Sequence, residues 1–378
     1  MIEIVSDNIV SPLGVTSEEN YLNVKAGKSG IRTYDSLFGL DCPVSCGKMD
    51  DALIDSEFGA VVGNNDDNNY TRLEKLALIS STKAVRNSGI DASGSDVAFY
   101  LSTTKGNVSL LDDGVIDSHK LYLYDTARLQ ASHFDNKQRP VVVSNACISG
   151  LSAIIAASRA LESGRIKYAV VTGVDVLSRF VFAGFMSLKA LSSKLCKPYD
   201  GARCGLNLGE AAATVVLKKA DADSHNVKLI KGSVRNDAYH ISSPSRTAEG
   251  AYNALHDVID GVDYDDIAFV NTHGTATFFN DEMESIVLDR MGLGEKPINA
   301  LKGYYGHTLG AAGVLETIIA KHSIIDNTIV KTFGYQERGT SKKISPTTEN
   351  LATDKPYFVK LISGFGGTNA AALFKREV

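Results

Sequence analysis

The sequence predicts an α/β protein in which buried sheets are layered with helices. Short apolar, β-branched runs alternate along the chain with longer stretches at helical spacing. Glycine is plentiful, at 33 residues, and proline sparse, at 8. The 378 residues are 44% hydrophobic and 22% charged, an ordinary globular composition with length for two domains or one large duplicated one.

Residues 73–87 carry a helical pattern, and Val97-Ala98-Phe99-Tyr100-Leu101 and Val141-Val142-Val143 read as buried strands. Residues 149–163 form a second helix, with Ile154, Ile155, Ala157, Ser158 and Leu161 at helical spacing. Strands are predicted at 169–171, 213–217, 267–270, 357–361 and 370–374, and helices at 281–291 and 311–325. A polar seam at Ala220-Asp221-Ala222-Asp223 divides the chain into residues 1–222 and 223–378.

Several classes drop out. With 39 basic against 44 acidic residues the net charge is −5, which argues against unaided nucleic-acid binding. No run of 18 apolar residues predicts a membrane span, and the start Met1-Ile2-Glu3-Ile4-Val5 lacks the basic and apolar regions of a secretory signal. Five cysteines, none in a C-x-x-C pair, do not make a disulfide framework and point to a reducing cytoplasm.

Cys147 is the first chemical centre. Val141-Val142-Val143 leads through Ser144-Asn145-Ala146 to Cys147, then Ile148-Ser149-Gly150 opens a helix. A thiol at a helix N-terminus meets free N–H groups and a partial positive charge, which favour thiolate. Small neighbours let a carbonyl approach the backbone, and the Cys147 N–H would hydrogen-bond a developing oxyanion. Cys42, Cys46, Cys196 and Cys204 read instead as small buried hydrophobes.

Two histidines lie in glycine-containing turns. Asn271-Thr272-His273-Gly274-Thr275-Ala276-Thr277 comes directly after a strand, where ligands bind in α/β folds. In an extended segment the Thr275 and Thr277 hydroxyls face one way, toward a polar ligand arm. Lys302-Gly303-Tyr304-Tyr305-Gly306-His307 is the second turn, with Glu316 available to Lys302 as a tertiary partner. Cys147, His273 and His307 also compose a zinc-type donor set, but no two have local metal spacing and the surrounding glycines fit an acyl site better. Ser363-Gly364-Phe365-Gly366-Gly367-Thr368-Asn369 reads as a tight loop that gates the site and offers it a backbone N–H.

In this order the four segments resemble the elongating β-ketoacyl-acyl-carrier-protein synthases of the thiolase-like superfamily. Supporting pieces are Ser11-Pro12-Leu13-Gly14, Ala26-Gly27-Lys28-Ser29-Gly30, Lys197-Pro198-Tyr199-Asp200, Arg203, Gly205, Gly209-Glu210, Asp237-Ala238-Tyr239-His240 and Pro244. The resemblance implies a five-layered αβαβα fold from two similar halves, and a homodimer or a heterodimer with a chain-length-factor-like subunit. It implies a cytoplasmic acyltransferase of fatty-acid or polyketide/polyene biosynthesis that needs no cofactor or metal and meets an acyl carrier protein.

It also implies roles for residues. Cys147 accepts the acyl chain, and His273 and His307 assist malonyl decarboxylation. Lys302 with Glu316 organises the site, while Phe365 and Gly366 belong to the oxyanion hole and gate. Thr275 and Thr277 hold the pantetheine arm, Asp237 and His240 lie in a second substrate loop, and Asp281 and Asn369 support. A basic patch for the carrier protein is sought among Lys105, Lys137, Arg139 and Arg203.

Departures from the family pattern are Ser363 before the glycine loop, Ala211 after Gly209-Glu210, and Asp7-Asn8 near the first strand. A thiolase-like acyl-CoA acyltransferase would be expected to carry a second cysteine late in the chain, and none stands after Cys204. A non-catalytic chain-length-setting subunit would not need Cys147, His273 and His307 together.

Overall fold

The computed structural model describes residues 1–63, 70–116 and 118–377. The first part of the chain runs β1 (Ile2–Val10), α1 (Ser17–Lys25), β2 (Arg32–Tyr34), β3 (Val44–Gly47), α2 (Asp51–Val61), α3 (Arg72–Ser88) and β4 (Val97–Ser102). It continues with α4 (Leu123–His133), β5 (Val141–Val143), α5 (Ser149–Glu162), β6 (Tyr168–Asp175), α6 (Arg179–Ser187), β7 (Leu208–Gly209) and β8 (Ala211–Lys219). The second part begins with β9 (Lys228–Asn236), α7 (Glu249–Ile259), β10 (Ile267–Asn271), α8 (Phe278–Arg290), β11 (Pro297–Asn299), α9 (Lys302–Tyr305) and α10 (Ala312–Ile325). It ends with β12 (Thr328–Ile329), β13 (Ser345–Pro346), β14 (Leu351–Ala352), β15 (Tyr357–Gly364) and β16 (Thr368–Lys375).

Local chemistry sets several boundaries. Thr16 and Thr71 cap α1 and α3, each receiving the N–H of a glutamate three residues on, Glu19 and Glu74, whose carboxylates reach back. Helix α8 starts three residues before the predicted boundary, because Thr277 is still extended and Phe278-Phe279 turn into the first helical turn. Strand β9 has no counterpart among the predicted strands, since Lys228, Lys231 and Gly232 interrupt its apolar pattern. It forms because it has a partner on each side: it pairs with β16 along its length and with β1 at its start.

The main sheet has the strand order β13-β11-β10-β15-β16-β9-β1-β8-β6-β4-β5. Five strands of the first part, β1, β4, β5, β6 and β8, stand as first-fifth-fourth-second-third. The strands β9, β10, β11, β15 and β16 of the second part stand in the same order. The directions repeat as well, with parallel pairs β4–β5, β4–β6, β10–β11 and β10–β15 and antiparallel pairs elsewhere in each set. The fold is therefore two copies of one topology, joined where Ile2 and Glu3 pair with Leu229 and Lys228.

Helices α5 and α10 pack against each other and against strands of both sets, while α3 and α4 cover the outer face of one set and α7 that of the other, with α8 packed on α7. This is the layered thiolase-like arrangement, and it buries α5 and α10 on nearly all sides. The two helices cross at backbone contact. A Cβ on Gly313 would stand 2.3 Å from the Leu151 nitrogen, and one on Gly150 would stand 2.8 Å from the Val314 nitrogen. Gly313→Ala is expected to cost about 1–3 kcal/mol by forcing the helices apart. A lowered midpoint in urea unfolding checks it, and an unchanged midpoint would refute the close crossing. Among the described residues no helix is long and apolar enough to cross a membrane.

Candidate active site

The helix crossing matters because Cys147 lies in the turn that leads into α5, two residues before its first residue, Ser149. Ala146 before it has φ 46°, an unfavourable left-handed conformation for a residue with a side chain. Ser149 braces the turn: its hydroxyl accepts the Asn145 N–H at 2.8 Å and donates to the Ala146 carbonyl at 2.6 Å. No side chain caps α5, and among the described residues the one backbone N–H acting on the sulfur comes from Phe365. The loop after β15 closes on the same turn. A Cβ on Gly364 would lie 3.1 Å from the Cys147 nitrogen, so only glycine lets the loop sit there.

His307 comes after Gly306 at the end of α9, and its Nε2 lies 2.9 Å from Cys147 Sγ. The Leu309 N–H donates to His307 Nδ1 at 3.2 Å. Nδ1 therefore carries no proton, and the neutral ring presents Nε2–H to the sulfur. His273 lies just past β10, its ring centre 5.0 Å from that of His307 and nearly perpendicular to it. The ligand atoms of Cys147, His273 and His307 all lie within 4.8 Å of one another. The set is buried, with one histidine Nε2 turned to the sulfur.

Burial governs the protonation of all three. It pushes the Cys147 thiol up to about 11, against the pull of Lys105, Lys302 and the Phe365 N–H. The expectation of a resting thiolate is thus corrected: the helix terminus is present, but loss of solvent outweighs it. Burial, with the charge of Lys302 as the next cause, holds both imidazoles well below their ordinary range.

Two carboxylates on α8 hold the His273 loop. Glu284 accepts the N–H groups of His273 and Gly274 at 2.7 and 2.8 Å. Asp281 accepts those of Tyr199 and Thr275 at 2.7 and 3.1 Å. Burial, with Glu284 nearby, pushes Asp281 up to about 7. Asp281 takes the supporting place expected of it. Glu284 carries no such signal in the sequence, because eleven residues separate it from His273 within a helix of ordinary charge pattern.

Lys302 meets Glu316 at 2.5 Å, fully buried, as the spacing allowed. A second buried lysine, Lys360 on β15, takes the other Glu316 oxygen at 2.8 Å. Sequence reasoning passes over Lys360, which sits in an apolar strand like any edge lysine.

A cavity of about 520 Å³ opens over the sulfur and is lined by Cys147, His273 and His307 together with Thr275, Thr277, His240 and Phe365. Thr275 and Thr277 do face it, but not from an extended segment. Ala276 at φ 58° bends the chain, and the two hydroxyls bond each other at 2.7 Å. Phe365 stacks on Phe185 with ring centres 5.8 Å apart, and Phe185 meets the edge of His307.

Two expected site residues lie elsewhere. Gly366 does not line the cavity, and its N–H is taken by the Ile241 carbonyl at 2.7 Å. Asp237 is not at the cavity either; its carboxylate accepts the Tyr239 and Ser245 N–H groups, each at 3.0 Å, and shapes the neighbouring loop. Asn369 supports the glycine loop through Ser363 at 2.7 Å and the Gly367 carbonyl at 3.0 Å.

Among the basic candidates Arg203 lines the cavity, its side chain 4% exposed, and Lys189 joins it unpredicted. Lys105 is half-buried and acts on Cys147 by its charge. Lys137 and Arg139 are exposed away from the cavity. Cys204 is exposed on the cavity wall and Cys42 is half-buried, so neither is the small core residue expected.

Comparison with known proteins agrees with this geometry. Residues 1–222 match the family described as beta-ketoacyl synthase, N-terminal domain, and residues 227–336 match its C-terminal domain. The chain is 28% identical to a 3-oxoacyl-[acyl-carrier-protein] synthase 2 of Vibrio cholerae, over 97% of both chains. It is 27% identical to the ketoacyl synthase alpha subunit of the tetracenomycin polyketide synthase of Streptomyces glaucescens, covering 81% of this chain and 82% of that one. Among solved structures, a ketosynthase in complex with its chain length factor from Xenorhabdus doucetiae superimposes with a TM-score of 0.86 at 25% identity, over 100% of this chain and 98% of that one.

Proposed function

Because this chain belongs to the beta-ketoacyl synthase family, we propose that it joins a Cys147-bound acyl group to the two-carbon unit released from malonyl carrier protein. It is an acyltransferase of the condensing-enzyme type. The observation that carries the mechanism is the Cys147–His307 contact at 2.9 Å, with its proton fixed on Nε2 and His273 alongside in one cavity.

The acyl thioester of a carrier protein enters the cavity with its pantetheine arm along Thr275 and Thr277. Cys147 sulfur attacks the thioester carbonyl, whose oxygen is received by the Cys147 and Phe365 N–H groups, and its thiol proton passes to the departing sulfur, so the carrier leaves as a thiol. Malonyl carrier protein then takes its place. Its carbon–carboxylate bond breaks, carbon dioxide leaves, and the electron pair becomes an enolate held by ring N–H groups of His307 and His273. The enolate carbon attacks the Cys147 thioester, forming the carbon–carbon bond and expelling the Cys147 thiolate, which takes a proton from water to restore the resting thiol. Exposed Lys189 gives the cavity wall positive charge suited to an acidic carrier protein, whereas the buried Arg203 guanidinium faces Asp281.

A second thiolase-like subunit, like or unlike, fits the outer edge at β5, where Val141 is 39% exposed and the strand has a free side among the described residues. Residues 102–111 of this chain would then lie by that edge. Intact-mass spectrometry of the purified chain incubated with acyl carrier proteins of graded chain length tests the reading. An added acyl mass on wild type and none on Cys147→Ala is expected, with the preferred length reporting the depth of the pocket. No adduct from any donor, with activity appearing only on adding a second subunit that carries its own nucleophile, would favour the chain-length-setting alternative.

A further inference from the structure

The buried charges behind the histidines do not balance. Lys302 on α9 and Lys360 on β15 share the single carboxylate of Glu316 on α10, and the side chains of both lysines are 0% exposed. Lys360 also donates to the carbonyls of Leu361, Thr272 and Asn271, at 3.0, 3.3 and 3.5 Å. Each of these partners of Lys360 Nζ is an acceptor. That shell suits an ammonium with three N–H donors, not an amine with a lone pair. Thr272 immediately precedes His273, so the surplus positive charge lies one residue behind an active-site imidazole.

We propose that Lys360 is a positioning residue for the condensation: it completes a Lys302–Glu316–Lys360 chain whose extra positive charge keeps a third proton off His273 and His307. This inference rests on the condensing reading of the site. Lys302 and Lys360 act on both rings, and Lys105 and Cys147 stand on the side of His307; Glu316 pairs with both lysines behind them, Glu284 and Asp281 on α8 bind backbone N–H groups of the His273 loop, and Asp175 lies on the side of Cys147. Lys360 lowers the proton affinity of both rings by its charge. Glu284 attracts it in turn, and burial, the larger effect, draws Lys360 itself down.

Neutral rings matter because the enolate carbon has two fates once carbon dioxide has left. It attacks the Cys147 thioester carbonyl, making the carbon–carbon bond and releasing thiolate. Otherwise it takes a proton from a neighbouring acid, giving acetyl carrier protein and ending the cycle. A neutral imidazole N–H stabilises the enolate oxygen yet is too weak an acid to protonate carbon. An imidazolium does both, transferring its N–H proton to carbon and returning to neutral imidazole.

The test is the ratio of acetyl to β-ketoacyl carrier protein formed by acyl-loaded enzyme, measured from pH 5.5 to 8.5. Lys360→Met leaves Lys302 and Glu316 as a balanced pair, so the fold loses a surplus charge and strands none. At pH 6 its abortive fraction is expected to stand about tenfold above wild type, the change in imidazolium for about one unit of ring pKa, and to fall about tenfold for each unit of pH toward 8. Lys360→Gln keeps donors for the carbonyls without the charge and is expected to behave like Lys360→Met. Wild-type partition in Lys360→Gln, or an abortive fraction that does not fall as pH rises in both variants, would overturn the inference and leave only loop anchoring. In wild type labelled with ¹⁵N-histidine, two buried rings are expected to stay neutral at pH 5.5. Protonated rings there would also overturn it, even if neither variant folds. A wild type that takes up no acyl group and releases no carbon dioxide would instead refute the condensing reading.

Discussion

Cys147→Ala is expected to lose condensation by roughly 10⁴-fold or more while still releasing carbon dioxide from malonyl carrier protein. Condensation needs a covalent acyl group on sulfur, and no other thiol among the described residues is in place to carry it. Cys204 also lines the cavity, but its sulfur is 3.0 Å from the Ser192 hydroxyl rather than beside a histidine. Decarboxylation depends on different atoms. In the proposed reaction the enolate oxygen is held by ring N–H groups of His273 and His307, neither of which is touched by the substitution. His307 Nε2–H, which donates to Cys147 Sγ in the resting protein, is released by it. Carbon dioxide release is therefore expected to stay within about tenfold of wild type. Equal loss of both reactions would contradict this division of labour, and retained condensation would mean the nucleophile lies elsewhere.

The features legible in the sequence and those hidden from it divide along the same physical lines. Cys147 is legible because a β-branched run, a small-residue turn and a helix succeed one another within a few residues. Both histidines are legible because each stands in a turn whose glycines serve no ordinary core. The repeated strand order is not legible, because β9, which opens the second set, hides behind Lys228, Lys231 and Gly232. Long-range electrostatics are harder still. Glu284 and Lys360 sit in a helix and a strand with unremarkable patterns, and only folding buries them beside His273. The Cys147 thiol illustrates why local signals mislead. Its helix N-terminus is a sequence-level feature, whereas the burial that pushes it up to about 11 is a property of the whole fold. Asp237 misleads in the opposite direction, since a polar residue near a glycine loop looks like a ligand contact even when its oxygens serve backbone N–H groups.

His307→Ala reverses the pattern expected for Cys147→Ala. Removing one preorganised donor from a buried oxyanion site costs about 10²–10³ in rate, so carbon dioxide release is expected to fall by that factor. Acyl loading should fall less, because its oxyanion is held by the Cys147 and Phe365 N–H groups while the thiol loses only its Nε2–H partner. The protonation of the rings sets the pH dependence. Burial and then Lys302 hold both imidazoles well below their usual range, so each is neutral at pH 7 and stays so as pH falls through about 6.5, the ordinary imidazole value. Wild-type decarboxylation should accordingly have no acid limb between about pH 6 and 8. A limb near pH 6.5 would mean that an imidazole titrates as it does in water, and that the buried cations behind it do not act as the geometry requires. A His307→Ala protein that decarboxylates as fast as wild type would show that His273 alone receives the enolate. The fixed Nε2 proton facing Cys147 would then serve acyl transfer only.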